Sequence, residues 1–389
     1  MIARIFIPII LAIVLPDLYF DLHYLRRSSW RIWWKRLLWW LPSIGLLGYT
    51  VALASIRNFA PDDLFWLNLY LFLVGSIVTP KAIFAFCSGL GLLYCRLTHT
   101  RNNWGNLVAP PLCLFSLYIL IYGSTLGFRK LEVRHIDIYS RELPKAFDGY
   151  RIAQFTDAHV GTLTGNRYKM LTRVIDSLNA QNADAIVFTG DLQNMQPSEL
   201  YPVQDLLKSL YAKDGVFSVL GNHDYSQYIK ADPAVKAANE REVISRERQF
   251  GWTVLLNEHH TIRRGKDSLV IAGEENDGLP PFPDRGDINK TLEGISPSAY
   301  VVMLQHDPSA WRRSILPKSQ VQLTLSGHTH GGQIQLFGLR PTMLTSKEDY
   351  GLYLDGNRAL YVSAGISGLI PFRFGIPGEI AVITLHKLQ

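Results

Sequence analysis

The chain has 389 residues, a net charge of +6, 48% hydrophobic residues and three cysteines. That length holds a membrane region and one sizeable globular domain. Cys87, Cys95 and Cys113 all lie in apolar segments, so a disulfide framework and a thiolate metal site are excluded from the rest of the chain. The positive charge does not imply nucleic acid, because Arg26, Arg27, Arg31, Lys35 and Arg36 stand among Trp30, Trp33, Trp34, Trp39 and Trp40. That mixture is typical of a membrane interface. A lipid bilayer is the expected partner, and no nucleic acid is.

Four apolar stretches come first, at about residues 5–20, 37–56, 64–94 and 107–128. A spanning helix needs about 20 mostly apolar residues, which the second and fourth supply. The first is short and holds Pro8 and Pro16, but it does not read as a cleaved signal peptide. The third is too long for one straight span and has Pro80-Lys81 near its middle. It is either one kinked span or a re-entrant pair, and each half alone is short for the hydrocarbon core, which favours one span. Residues 1–128 are therefore expected to be a transmembrane region of about four helices, and 129–389 a separate globular domain. With the basic cluster 26–36 on the cytoplasmic side, four spans put that domain outside. Arg129, Lys130 and Arg134 oppose this, and a re-entrant third stretch would reverse it.

Beyond Gly127 the pattern changes. Residues 131–139 alternate apolar and polar, as a half-buried strand does. Short apolar strands are expected at 151–155, 185–188 and 216–220, separated by helices over 167–178 and 200–210. A charged helix follows at 234–250, then strands near 253–256, 268–272, 300–304, 322–325, 359–363 and 380–385. The Pro-, Gly- and Asp-rich stretch 276–295 reads as a long loop of the kind that often covers a site.

The chemistry sits at the strand ends. In order they carry Asp157-Ala-His159, Gly190-Asp191, Gly221-Asn222-His223-Asp224, His306 and Gly327-His328-Thr329-His330. Imidazole, carboxylate and amide oxygen form a first-row transition-metal ligand set, with enough members for two ions. Taken singly each motif is weak, since a lone buried histidine is more often a structural residue. Five strand ends all bearing such residues are hard to obtain from packing alone. C-terminal strand ends are also where open α/β sheets keep their sites.

This ordered set resembles the calcineurin-like metallophosphoesterases from about Arg151 to the C-terminus, with the wording of a membrane-anchored bacterial branch around it. The resemblance implies a four-layer α/β sandwich of two mixed sheets flanked by helices, behind the transmembrane region, with 129–389 as the catalytic domain. It implies two divalent ions (Mn, Fe or Zn) that together generate a hydroxide for attack on a phosphomonoester, phosphodiester or pyrophosphate. Asp157, His159 and His330 would hold one ion, Asn222, His306 and His328 the other, and Asp191 would bridge them. His223 would stay unligated and act as general acid, with Asp224 orienting it. The family usually has a second acid where this chain has Asn194, which implies altered metal affinity. Arg373 is a candidate phosphate contact and Tyr225 a candidate stacking residue, with packing as the plainer role for each. Membrane attachment suggests a lipid-linked or envelope substrate in a bacterial inner membrane. A lipid-linked nucleotide pyrophosphate of lipid A synthesis is one candidate. The rival reading is a non-catalytic binding protein on the same fold.

Overall fold

The computed structural model describes every residue, Met1–Gln389, as two compact units, Met1–Thr125 and Leu126–Gln389. The first unit is helical. Four helices are long and apolar enough to cross a membrane: Ile2–Arg27, Trp33–Ala54, Leu64–Thr98 and Gly105–Gly127. The third apolar stretch is thus one continuous helix of 35 residues. It accommodates Pro80 through a widened π-turn at Val74–Val78. Proline lacks an N–H and crowds the carbonyl four residues back, here that of Ser76, which lies inside the wide turn.

Lys81 is what the sequence obscured. Its Nζ lies 2.7 Å from Oδ1 of Asp17, which also accepts a hydrogen bond from Trp39 Nε1 at 2.8 Å. Asp17 is fully buried. Near the end of the same first helix, Asp21 accepts from Arg26 at 3.0 Å and Arg36 at 2.5 Å. Ionisable groups in an apolar bundle persist by facing inward and pairing, so Pro80-Lys81 marks a cross-link between helices and not a break. Removing one partner of a buried pair leaves the other uncompensated. Lys81→Met should therefore lower the unfolding midpoint of the detergent-solubilised protein, and adding Asp17→Asn should restore part of the loss.

The second unit contains β1 (Leu131–Ser140), β2 (Tyr150–Phe155), β3 (Ala185–Phe188), β4 (Val216–Ser218), β5 (Thr253–Val254) and β6 (Glu258–Arg264). It continues with β7 (Asp267–Gly273), β8 (Tyr300–Leu304), β9 (Leu323–Ser326), β10 (Gly351–Asp355), β11 (Arg358–Val362) and β12 (Gly378–Lys387). They form two six-stranded sheets, ordered β1-β12-β2-β3-β4-β5 and β10-β11-β9-β8-β7-β6. Both are mixed: β2 to β5 and β7 to β9 run parallel, while β12 against β2, β6 against β7 and β10 against β11 are antiparallel.

Alternation along the strands sorts the core into layers. Ile152, Val187 and Phe217 from one sheet meet Ile271, Val302 and Leu323 from the other in the central layer. Ala153, Phe155, Ile186 and Phe188 point outward to Leu171, Val174, Ile175 and Leu178 on the helix Tyr168–Ala180. Val270, Val301 and Met303 face the opposite way, onto Trp311 and Ile315. The helices therefore flank two sheets.

Two strands, β6 and β10, were not anticipated, and both are sheet edges. With one side unpaired they carry mixed polar residues (Glu258-His-His-Thr in β6) and no continuous apolar run. The expected helix at 200–210 is instead a 3-10 turn, Pro197–Val203, and four helical residues, Gln204–Leu207. Pro202 interrupts the pattern. The expected loop after β7 is clasped by Asn276, whose Nδ2 donates to Pro283 O at 2.7 Å while its carbonyl accepts from Arg285 N at 2.8 Å.

Candidate metal centre

The folded domain brings every candidate ligand to one place. Asp157 and His159 follow β2, Asp191 follows β3, Asn222 follows β4, His306 follows β8, and His328 and His330 follow β9. These are the C-terminal ends of parallel strands, three from one sheet and two from the other. Three groups of residues offer ligand atoms lying within 4.8 Å of one another: Asp157, His159 and His330; His159, Asp191 and His223; Asp191, His306 and His328. Asp191 joins the last two groups and His159 the first two.

The orientation of each imidazole follows from the partner behind it. Nδ1 of His306 faces Thr189 O at 2.7 Å, and Nδ1 of His330 faces Ser367 O at 3.1 Å. A carbonyl oxygen can only accept, so both Nδ1 atoms carry the proton. Nδ1 of His159 meets Asn194 Oδ1 at 3.1 Å, while Asn194 Nδ2 donates to Thr162 Oγ1 at 3.2 Å. In the neutral form of each ring this leaves the Nε2 lone pair pointing inward. His306 Nε2 lies 3.3 Å from Asp191 Oδ2, 3.2 Å from Asn222 Oδ1 and 3.3 Å from His328 Nδ1. His330 Nε2 lies 3.3 Å from Asp157 Oδ1, and His159 Nε2 lies 3.7 Å from Asp191 Oδ2. Asn222 gives its Nδ2 protons to Tyr228 Oη at 2.7 Å, which frees its oxygen for the centre.

Carboxylate, amide and imidazole atoms buried this close to one another are costly unless a proton or a cation lies among them. The donor chemistry fits a divalent first-row ion, with neutral imidazoles, two carboxylates and one amide oxygen. The electrostatics separate the histidines: burial opposes a charge on His306, but Asp191 beside it raises its pKa to about 10, so this pair holds a proton that a cation would displace. Burial holds the pKa of His159 well below the usual range and lowers those of His328 and His330, which keeps them as ligands. Burial also opposes ionisation of Asp191, but the imidazoles around it hold its carboxyl well below normal.

Backbone strain accompanies the site. Asp157, His159, Asp191, His328 and His330 all have positive φ, between 41° and 73°. Non-glycine residues pay about 1–2 kcal/mol for this. Two glycines make the crowding possible. A Cβ on Gly221 would lie 2.2 Å from Asp191 Oδ1, and one on Gly190 would lie 2.7 Å from His306 Nδ1.

His223 stands beside this set. Its Nδ1 donates to Asn194 O at 2.5 Å, and its ring stacks on Tyr228 with centroids 4.1 Å apart. Asp224 does not orient it. The Asp224 carboxylate accepts from the backbone N–H groups of Asp191 (2.8 Å), Leu192 (2.9 Å), Gln193 (3.3 Å) and Gly221 (2.8 Å), joining the two loops. Asn194 thus holds both His159 and His223, one through its side chain and the other through its carbonyl.

Arg373 is not a phosphate contact. It is fully buried, and its Nη2 donates to Ala364 O, Gly365 O and Ser367 O at 2.7–2.9 Å, fixing the loop that backs Asp157 and His330. Tyr225 is also buried, its hydroxyl near Glu275 and accepting from Asn276 N at 3.2 Å, so it packs rather than stacks on a substrate. A feature missed in the sequence is a cavity of about 680 Å³ beside His328, lined among others by Leu279, Phe282, Arg312, Arg313 and Lys347. Phe282 meets the His328 ring edge-on at 4.7 Å. Its signal was the apolar residues inside the loop 276–295.

Asp224→Ala would leave four buried N–H groups without an acceptor, each worth about 1–3 kcal/mol. It should lower the thermal unfolding midpoint far more than His223→Ala does, with Asp224→Asn between them because it keeps one acceptor oxygen.

Residues 150–332 match the family profile described as calcineurin-like phosphoesterase. Residues 3–128 match a probable calcineurin-like phosphoesterase transmembrane domain, which with the four apolar helices marks a membrane protein. An uncharacterized metallophosphoesterase of Bacillus subtilis, YkuE, is 31% identical over 272 residues, 68% of this chain and 89% of that one. A transmembrane protein with a metallophosphoesterase domain from Danio rerio is 27% identical over 338 residues, 83% of this chain and 74% of that one. A solved dimetal phosphatase from Danio rerio overlaps 56% of this chain and 88% of its own at 13% identity and a TM-score of 0.32. The chain belongs to the calcineurin-like metallophosphoesterases, a family of hydrolases that act on phosphoric esters and bind divalent metals.

Proposed function

We propose that residues 129–389 hydrolyse a phosphomonoester, phosphodiester or pyrophosphate bond with the help of two divalent ions, and that residues 1–128 hold this catalytic domain at a membrane. Asp157, His159 and His330 would hold one ion, Asn222, His306 and His328 the other, with Asp191 shared. The observation that supports this most is the convergence of inward-facing lone pairs into groups that Asp191 and His159 link. When bound, such ions supply Lewis acidity to the phosphoryl oxygens and lower the pKa of water toward neutrality.

The chain's own groups supply the rest. With Nδ1 engaged by Asn194 O, His223 has only Nε2 free to give a proton to the leaving oxygen. Stacking on Tyr228 limits rotation of that ring, which favours a fixed donor over a ligand. Asn194 keeps His159 in the tautomer that presents Nε2, but as an amide it adds no charge, so His159 is a weaker base than it would be beside a carboxylate. We assign the substrate to the membrane or envelope because the domain follows the last apolar helix directly. From the basic cluster 26–36, we assign the domain to the extracytoplasmic side of a bacterial inner membrane.

Two measurements test this. Hydrolysis of an aryl phosphate ester by the purified chain should require Mn²⁺, Fe or Zn²⁺ and vanish on chelation. Activity that survives exhaustive chelation would refute the metal reading. His223→Gln should keep its metal content yet lose about 10²–10⁴-fold in rate on an alkyl ester, and lose less on a nitrophenyl ester, whose leaving group needs no proton. Loss of metal from this variant would make His223 a ligand instead.

A further inference from the structure

We propose that the loop 334–346 is a membrane-docking element that rests its apolar tip in the surface of the bilayer. Four apolar side chains project from it. Phe337 is 96% exposed, Leu344 91%, Leu339 69% and Met343 49%. Single exposed apolar residues are ordinary, but four within eight residues form a patch that calls for a partner.

The loop is built to hold them outward. Leu336 and Leu339 exchange both backbone hydrogen bonds, at 3.0 and 2.9 Å. Beneath the tip, Arg340 makes two hydrogen bonds to Asp349, at 2.7 and 3.1 Å, and Thr342 Oγ1 adds a third at 2.9 Å. The polar residues thus turn inward and pair, while the apolar ones turn out. That reverses the usual arrangement of a surface loop in water and suits an interfacial segment.

Connectivity says what covers the patch. Only Phe128, Arg129 and Lys130 separate the end of the last apolar helix, Gly105–Gly127, from β1. At about 3.3–3.6 Å per residue, four extended steps keep Leu131 within ~14 Å of Gly127. The loop sits at this same end of the domain. Arg134, four residues into β1, donates to Tyr350 Oη, and the guanidinium of Arg340 lies 5.3 Å from the centre of the Tyr350 ring. The candidate metal centre is there too. Gly378 N donates to Lys130 O, Glu379 N to Gly365 O and Ile366 N to Thr156 O, each at 3.0 Å, and the next residue is Asp157. A tether this short limits how far that end of the domain can lie from the last apolar helix, which favours lipid over a soluble partner.

The same loop supplies Thr342, Thr345 and Ser346 to the wall of the cavity that reaches His328. Docking would set the mouth of that cavity at the bilayer surface. A substrate whose phosphate is carried on a lipid could then enter without leaving the membrane, a consequence that rests on the phosphoesterase reading above.

The test uses the full chain in nanodiscs with Cys87, Cys95 and Cys113 replaced by Ala. A bimane fluorophore is placed at Leu344→Cys or Leu339→Cys, and as a reference at Tyr211→Cys. Tyr211 is 76% exposed and precedes β4, at the strand ends opposite the site. A quencher carried on the lipid acyl chain should remove about half or more of the emission at 339 and 344 and leave 211 unchanged, as a side chain held at the headgroup–acyl boundary requires. No lipid quenching at 339 and 344, whether iodide reaches them freely or a second copy of the chain shields them, would overturn the proposal. Aryl phosphate hydrolysis measured on the same samples reports separately on the catalytic reading.

Discussion

The C-terminal unit is arranged around one electrostatic fact: ligand-type atoms from five strand ends are driven together in a largely buried place. His306, Asn222, Asp191 and His328 meet through acceptor atoms 3.2–3.3 Å apart. Such contacts repel unless a proton or a cation sits among them. Nδ1 of His159, His306 and His330 is committed to an oxygen behind each ring, which turns Nε2 of each toward the centre. The outer hydrogen bonds therefore determine the chemistry of the inner atoms.

Holding that arrangement costs backbone strain, which rigid surroundings must offset. Parallel strands deliver the chain to the site, the left-handed turns at Asp157, His159, Asp191, His328 and His330 aim the side chains, and glycines let adjacent loops touch. Two buried charged groups then secure the loops from outside. Asp224 gathers N–H groups and Arg373 gathers carbonyls, so each satisfies backbone that could not otherwise be buried. Neither needs to touch a substrate to matter.

Much of this was legible in the residues. The two-residue alternation of β1, the continuous apolar runs of β2, β3 and β8, and the helical stripe from Met170 to Leu178 announced themselves because each is buried on defined faces. The edge strands β6 and β10 did not, since exposure relaxes the pattern that betrays a strand. In the site, ligand-type residues could be picked out by type and order. The roles of Asp224 and Arg373 could not, because both act on backbone atoms, and backbone partners leave no trace in side-chain identity. Lys81 left a re-entrant alternative open for a related reason. Its partner Asp17 is 64 residues away, and nothing local distinguishes a paired lysine from a helix break.

The centre draws its residues from both sheets, with Asp157, His159, Asp191 and Asn222 from the β2–β4 side and His306, His328 and His330 from the β8–β9 side. A divalent ion seated there is consequently a rivet through the sandwich as well as a reagent. Closing the layers and retaining the ion become one equilibrium, and each strengthens the other by the same factor. Stripped of metal, the two halves would carry facing lone pairs across their own seam. Withdrawing such an ion would loosen the seam between the sheets as well as silence the chemistry.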